Sequence, residues 1–95
     1  MAKSIIQTNK EVCYWCRKTG ILHPHHVFNG AYKKKSEEDG MIVFVHDFPC
    51  HRQIHDIYQN ELEIKQNGQR LWEQFYGTRE EFIERYGKSY LWKEG

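Results

Sequence analysis

The distribution of metal-binding side chains constrains this chain more than any other feature of its sequence. All three cysteines and all six histidines lie between positions 13 and 55, and the chain beyond holds neither residue type. A chain of 95 residues forms one small domain, in a size range where a structural metal often supplements a modest core. We therefore predict that the first half carries a metal site and that the second half packs against it.

The first two cysteines form a C-x-x-C motif. Cys13 and Cys16 are separated by two aromatic residues and are followed by Gly20. This pattern is typical of a zinc knuckle, a tight turn in which backbone N–H groups point at the thiolates and a glycine reverses the chain. The odd number of cysteines leaves no complete disulfide framework and favours a reducing compartment.

Cys50 supplies a third thiolate for such a site. A structural zinc needs four ligands. His46 is the most economical fourth ligand, because it lies four residues before Cys50, where a predicted strand gives way to a predicted helix. Asp47 and His23 are the alternatives. In the competing interpretation, Cys50 is a small buried apolar residue and the C-x-x-C pair arises by chance.

Two segments have the composition of β-strands. Residues 21–28 alternate histidines with β-branched or aromatic residues, and the Asn29-Gly30 pair that follows is a strong turn signal. Residues 41–45 form the most β-prone run of the chain and predict a second strand, antiparallel to the first. The charged residues 33–40 between them predict an exposed loop, with a phosphate-binding loop as the alternative. The two strands would then form a hairpin with a long loop.

Helical periodicity begins after the second strand. Pro49 suits the first turn of a helix, because that turn needs no N–H from it and its φ is already helical. His51 and His55 are four residues apart, so their imidazoles point in the same direction. Gly68 interrupts the pattern. The predicted apolar arc of this helix consists of Ile54, Ile57, Tyr58 and Ile64.

Two more apolar helical faces follow Gly68. The first ends at Gly77, which suits a left-handed C-cap. Thr78 and Glu81 form a capping box that opens a further helix, and Gly87 is expected to end it. The tail, residues 90–92, is expected to pack back on the core. The two faces comprise Leu71, Trp72, Phe75 and Tyr76, and then Phe82, Ile83 and Tyr86.

Composition excludes several functional classes. The formal net charge is +1, so any contact with nucleic acid must come from local patches and not from the overall charge. No apolar run approaches the roughly 20 residues that a membrane span requires. The first six residues are too short and polar for a signal peptide. We therefore expect a soluble cytoplasmic protein without membrane partners.

The histidines outside the predicted zinc site form two tight pairs. His25 and His26 are adjacent on the first predicted strand, and His51 and His55 lie on the predicted helix. Neighbouring residues of a strand point to opposite faces, so His25 and His26 can both face the helix only if the strand is twisted or bulged. Taken singly, any of these imidazoles could serve packing or hydrogen bonding instead of metal binding.

The order of these motifs resembles a known family. C-x-x-C, then His-His-Val on a strand, then Cys-His-x-x-x-His opening a helix, is similar to the HNH nucleases of the ββα-metal (His-Me finger) fold, in particular small phage-type members with a structural zinc. The resemblance covers roughly residues 11–60, and the helical tail is also similar to the ends of such phage proteins. It implies an α+β fold in one domain, with an N-terminal arm (1–12), a zinc and ββα-metal core (13–66) and a helical C-terminal extension (67–95).

The resemblance implies a metal-dependent endonuclease that hydrolyses phosphodiester bonds in DNA. Carried over by position, His26 would be the general base that activates water, and His25 would be a ligand of the catalytic ion. His51 would orient the base or support the fold at that point, and His55 would be the second protein ligand. An imidazole that titrates near neutral pH suits the role of the base.

The chain departs from the family pattern at two places. The zinc site of the family often has four cysteines, and here a histidine or aspartate must complete it. His25 stands where the family often has Asp, so the catalytic site lacks a negative charge. Softer ions such as Mn²⁺ or Ni²⁺ would then compete with Mg²⁺. A catalytically inactive, zinc-stabilised DNA-binding or protein-interaction module of the same fold is the alternative function.

Several basic residues flank the predicted site. Lys33, Lys34, Lys35 and Arg52 are the candidates for contact with DNA phosphates. A protein this small has little surface for reading a base sequence. We therefore expect weak sequence specificity, or help from a second copy of the chain or from a phage or host protein.

Overall fold

The structure, a computed structural model, describes residues 4–7 and 9–91. This part of the chain is a small mixed α/β fold with one two-stranded sheet and four α-helices. A 3-10 turn precedes the first helix, and a short π-helical turn precedes the second. The elements are β1 (His23–His26), the 3-10 turn (Gly30–Tyr32), α1 (Lys33–Asp39), β2 (Ile42–Val45), the π-helical turn (Asp47–His51), α2 (Arg52–Asp56), α3 (Tyr58–Phe75) and α4 (Arg79–Tyr86).

The predicted antiparallel pairing of the strands is confirmed. His23 lies opposite Val45, and His26 lies opposite Ile42. Each strand has only four residues, fewer than the sequence predicted for the first. Three of the four residues of β2 are buried, which agrees with its nearly continuous apolar composition.

The connection between the strands is a helix, so the prediction of an exposed loop at residues 33–40 was wrong. Its three lysines come first and its acidic residues last, an order that opposes the helix dipole. Tertiary contacts therefore have to hold it. The buried Ser36 hydroxyl donates to the Phe28 carbonyl (2.6 Å) and accepts from the Phe28 N–H (3.2 Å).

Asp39, the last residue of α1, ties that helix to the C-terminal half of the chain. Its Oδ2 accepts hydrogen bonds from Trp72 Nε1 (2.8 Å), Arg85 Nε (2.6 Å) and the Tyr86 hydroxyl (2.6 Å). The Tyr76 hydroxyl donates to its carbonyl oxygen (2.8 Å). Residues of α3 and α4 thus fix the end of α1, which supports the prediction that the second half of the chain braces the first.

The helical segment after β2 has a break that the apolar pattern did not indicate. Helical backbone begins at Pro49, as predicted, immediately after the extended Phe48. Ile57 is extended (φ −112°, ψ 106°) and separates α2 from α3. The break turns Ile57 and Tyr58 outward, where they are 50% and 67% exposed, so the predicted apolar arc does not form one continuous helical face. Ile54 and Ile64, also in that predicted arc, are buried.

Gly68 does not interrupt the helix. The 18-residue α3 runs through it, and a Cβ at this position would lie 3.2 Å from Val27 Cγ1 and 3.4 Å from Met41 Sδ. The glycine therefore lets the helix backbone approach the residues that flank the sheet. Trp72, one turn further on, is buried as predicted, whereas Phe75 is 61% exposed.

The end of α3 and the start of α4 agree with the sequence in part. The capping box of Thr78 and Glu81 is confirmed, with both reciprocal hydrogen bonds present. Gly77 does not adopt the predicted left-handed conformation. A Cβ there would lie 2.7 Å from Glu81 Oε1, so the glycine makes room for the capping carboxylate. Gly87 ends α4, as predicted.

The faces predicted for the last helix and the tail are also confirmed in part. Phe82 and Tyr86 are buried, whereas Ile83 is 38% exposed. Leu91 is buried against the core, and Trp92 lies outside the described residues.

The described part of the N-terminal arm runs beside β2. Ile5 N donates to the Gly40 carbonyl (2.9 Å), and the side chains of Ser4 and Gln7 bond the backbone of Ile42 and Phe44. These contacts hold the arm in place without a regular strand. Within residues 4–7 and 9–91, no helix combines the length and the apolar character needed to cross a membrane.

Candidate metal centres

The C-x-x-C motif forms a tight turn. Cys13 N donates to the Lys18 carbonyl (2.9 Å), and Arg17, at φ 67°, donates its N–H to the Cys13 carbonyl (3.0 Å). The Cys16 N–H points at Cys13 Sγ, at 3.5 Å. The backbone thus aims an N–H group at a sulfur, as the zinc-knuckle prediction requires.

The turn, the end of β2 and the turn before α2 bring four potential ligands together. The ligand atoms of Cys13, Cys16, His46 and Cys50 all lie within 4.8 Å of one another. His46 Nδ1 is 3.4 Å from Cys16 Sγ and 3.7 Å from Cys50 Sγ. Tetrahedral zinc, with bonds of about 2.3 Å to sulfur and 2.0–2.1 Å to nitrogen, separates such ligands by about 3.6 Å. The cluster is therefore compatible with a zinc site.

The orientation of His46 fits the role of a ligand. Its Nε2 lies 2.9 Å from the Thr19 carbonyl oxygen, which can only accept a hydrogen bond, so this nitrogen carries the proton. Nδ1 is then free to face the sulfurs. A hydrogen bond on the far nitrogen is the usual support of a metal-binding imidazole. The sequence did not indicate a role for Thr19, because the contact uses its backbone carbonyl, which every residue type has.

The other two candidates for the fourth position lie outside this group. Asp47 is exposed at the start of the π-helical turn, and His23 is exposed at the start of β1. Neither belongs to the cluster of close ligand atoms, whereas His46 does.

The thiols influence one another. Burial raises the pKa of Cys13, but hydrogen bonds from the backbone of Cys16, His46 and Trp15 outweigh it and lower the value to about 6. Burial and the neighbouring sulfurs of Cys13 and Cys16 raise the pKa of Cys50 to about 12. Cys13 therefore loses its proton readily, and the negative charge on its sulfur opposes the ionisation of Cys50. A cation among them would remove that opposition, and its binding would release protons.

A second cluster consists of His25, His51 and His55. One nitrogen from each ring lies within 4.8 Å of the others. His51 Nε2 and His55 Nε2 are 3.0 Å apart, and the His25 ring centroid is 5.1 Å and 5.0 Å from theirs. Two imidazole nitrogens bound about 2.1 Å from one ion are separated by about 3.0 to 3.4 Å. The predicted common direction of His51 and His55 is confirmed.

Two of these imidazoles, His25 and His51, favour the neutral form that binds metals. Burial, helped by the charges that His55 and His51 would carry, lowers the pKa of His25 to about 4. Burial and His55 also lower the pKa of His51. His25 is 5% exposed, whereas His55 is at the surface. The cluster is thus closed on the strand side and open on the helix side.

Glu61, a residue that the sequence analysis did not single out, lies behind His55. Its Oε2 is 4.0 Å from His55 Nδ1, and its Oε1 pairs with Lys65 at 2.8 Å. A carboxylate behind the far nitrogen of an imidazole is a common support in metal sites. Glu61 is six residues from His55 and on the next helix, so helical spacing gave no signal for it.

His26 lies apart from the three-histidine cluster. Strand alternation directs it away from His25, and its Nε2 is 2.9 Å from Glu37 Oε1 on α1. Both histidines nevertheless line one open cleft of about 460 Å³. Nothing in the sequence indicated a role for Glu37, because residues 33–40 were predicted to form an exposed loop.

The basic candidates differ in their surroundings. Lys33 lines the cleft. Lys34, the next residue, is exposed. Lys35 instead donates to the Arg85 carbonyl at 2.9 Å, and Arg52 pairs with Asp56 at 3.5 Å. Of these four residues, Lys33 is therefore the one that lines the cleft.

No protein-family model, curated protein or solved structure matches this chain.

Proposed function

We propose that this protein is a metal-dependent endonuclease of the HNH type, with one structural zinc and one catalytic divalent ion, that hydrolyses phosphodiester bonds in DNA. The observation that carries the proposal is the three-histidine cluster. One nitrogen of each of its three rings lies within 4.8 Å of the others, and the cluster shares an open cleft with a fourth imidazole, His26, that is not part of it. The order of the motifs along the chain supports the same reading.

Each of the four histidines that line the cleft has a role under this proposal. His26 takes a proton from a water molecule, whose oxygen then bonds to phosphorus. The bond from phosphorus to the leaving sugar oxygen breaks, and that oxygen takes a proton from solvent. His25, His51 and His55 would hold a divalent ion, which would stabilise negative charge on the phosphate and on the leaving oxygen. His51 thus acts as a third ligand, whereas the resemblance gave it an orienting role.

The composition of the cluster argues for a borderline metal. Three neutral imidazoles supply no negative charge and no oxygen, the ligand type that Mg²⁺ prefers. We therefore propose Mn²⁺ or Ni²⁺ ahead of Mg²⁺ for the catalytic position. In the other cluster, Cys13, Cys16, His46 and Cys50 would hold zinc with no open position.

Plasmid cleavage tests the proposal. We expect the purified protein to nick supercoiled DNA with Mn²⁺ or Ni²⁺ and to stop in EDTA. His26→Ala should lower the rate at least about 100-fold, the usual contribution of a general base. His23→Ala is the matched control, because His23 is exposed on the same strand and outside both clusters. Circular dichroism should show both variants folded.

Absence of cleavage with every ion, on duplex, single-stranded and branched DNA, would contradict the nuclease and favour a second candidate. That candidate is a zinc-stabilised DNA-binding or protein-interaction module without hydrolytic activity. The 3.0 Å contact of His51 and His55 favours it in one respect, because a hydrogen bond between two neutral imidazoles gives the same distance without an ion. Metal titration of the His25→Ala variant distinguishes these explanations of the contact.

A further inference from the structure

Glu37 holds the imidazole of His26. The contact joins His26 Nε2 to Glu37 Oε1 at 2.9 Å, and it links β1 to α1. An ionised carboxylate can only accept hydrogen bonds, so the proton of a neutral His26 must lie on Nε2. Nδ1 is then the nitrogen left to accept a proton.

The position of Glu37 is fixed by its neighbours in sequence. Ser36 makes two hydrogen bonds to the backbone of Phe28, two residues beyond His26. Asp39, two residues after Glu37, is held by Trp72, Arg85 and Tyr86. Although the Glu37 side chain is 58% exposed, the backbone that carries it is anchored on both sides.

We propose that Glu37 is the positioning residue for His26, fixing its tautomer and ring orientation so that Nδ1 is presented as the base. The catalytic consequence rests on the proposed nuclease function, whereas the tautomer does not. Glu37 takes no part in proton transfer, because Nε2 keeps its proton throughout. The proton that leaves water arrives on Nδ1, and Glu37 faces the resulting imidazolium.

The first test reads the tautomer directly. Long-range ¹H–¹⁵N correlation at about pH 8.5, where imidazoles are neutral, reports which ring nitrogen carries the proton. The His26 signals are assigned by their loss in His26→Ala. We expect the Nε2–H form in the wild type and a mixture in Glu37→Ala. Glu37→Gln should also give a mixture, because its amide can either accept from Nε2 or donate to it.

The second test measures DNA cleavage. Glu37→Ala and Glu37→Gln should lower kcat by about 10- to 100-fold, the usual effect of losing such a supporting partner. KM should stay within about twofold, and Glu37→Asp should recover part of kcat. Glu38→Gln is the matched control: it removes the same charge from the same helix, but Glu38 faces Arg85 at 3.0 Å and not His26. Zinc content and circular dichroism should be unchanged in all variants.

The two tests fail separately. A wild type that cleaves no DNA would contradict the proposed function, and the tautomer measurement would still decide the role of Glu37. A His26 tautomer that is the same in the wild type and in Glu37→Ala would overturn the inference. So would a kcat that survives Glu37→Ala in an enzyme that depends on His26.

Discussion

At the scale of single residues, His46 has two distinct tasks. Its Nδ1 lies among the sulfurs of the cysteine cluster, and its Nε2 is bonded to the Thr19 carbonyl. The His46 ring can make both contacts only because Gly20, the residue after Thr19, has no side chain. Gly20 has a φ of +136°, and a Cβ built on it would lie 2.7 Å from His46 Nε2. The absence of a side chain at Gly20 therefore lets the His46 ring lie against the turn, in addition to the predicted role of this glycine in reversing the chain.

Gly20→Ala should weaken the zinc site. The strained φ costs about 1–3 kcal/mol, and the new methyl group would push the His46 ring from the Thr19 carbonyl. We expect a lower denaturation midpoint in urea and faster release of zinc to a colorimetric chelator. Gly30→Ala is the matched control, since its φ is also positive (+63°) but its Cβ would have no neighbour within 4 Å. Equal zinc release from the two variants would contradict this account.

At the scale of elements, α1 connects the cleft to the C-terminal helices. Glu37 faces His26, and two residues later Asp39 receives three side-chain hydrogen bonds from α3 and α4. The pKa of Tyr86 is raised by burial and by its bond to the Asp39 carboxylate, so the hydroxyl remains a donor at ordinary pH. The helix is held by these contacts and not by its own sequence.

Asp39→Asn should destabilise the protein by about 2–3 kcal/mol, because it removes the charge paired with Arg85 and turns one acceptor into a donor among three donors. Urea unfolding, monitored by circular dichroism, measures this change in the free energy of unfolding. Asp56→Asn is the control, since it breaks only the exposed pair with Arg52 and should cost at most about 0.5 kcal/mol. If Asp39→Asn lowers the free energy of unfolding no more than Asp56→Asn does, the Asp39 contacts do not stabilise α1.

The sequence predicted elements where local chemistry decides them. The capping box at Thr78, the β-prone run 41–45 and the start at Pro49 are local signals, and all three are confirmed. α1 was missed because its charged residues become helical through contacts with residues distant in sequence. Gly68 was misinterpreted for a similar reason, since its small size matters only where α3 meets Val27.

The candidate site was predictable to a similar degree. Residue type and order were enough to propose the cysteine cluster and the common direction of His51 and His55, because metal ligands belong to few residue types. The separation of His26 from His25 followed from strand alternation. Glu37, Glu61 and Thr19 were not found, because a supporting carboxylate or carbonyl becomes visible only once the chain is folded.

At the scale of the molecule, the two clusters join different parts of the fold. The cysteine cluster links the turn at residues 13–16 to the end of β2 and to the π-helical turn before α2, and Cys13 and Cys50 belong to the hydrophobic core. The histidine cluster links β1 to α2 at the open cleft. Four ligands would leave an ion in the first cluster no open coordination position, whereas three ligands would leave an ion in the second open to solvent.

This difference predicts two classes of bound metal. One equivalent of zinc should resist brief treatment with EDTA, and its removal under harsher conditions should unfold the protein, because ligand binding stabilises the native state by several kcal/mol when the ion is far above its dissociation constant. A second equivalent should exchange freely without loss of structure. Elemental analysis and thermal denaturation after each treatment measure the two classes.

Matched variants assign the two classes to their clusters. Cys50→Ser should abolish the resistant equivalent and lower the thermal midpoint, whereas His25→Ala should abolish only the exchangeable one and leave the resistant zinc in place. Two resistant equivalents in the wild type would instead indicate two structural sites, and the histidine cluster would then lack the open coordination position that hydrolysis requires. Loss of the resistant zinc without any change in the thermal midpoint would show that the cysteine cluster does not hold the fold together.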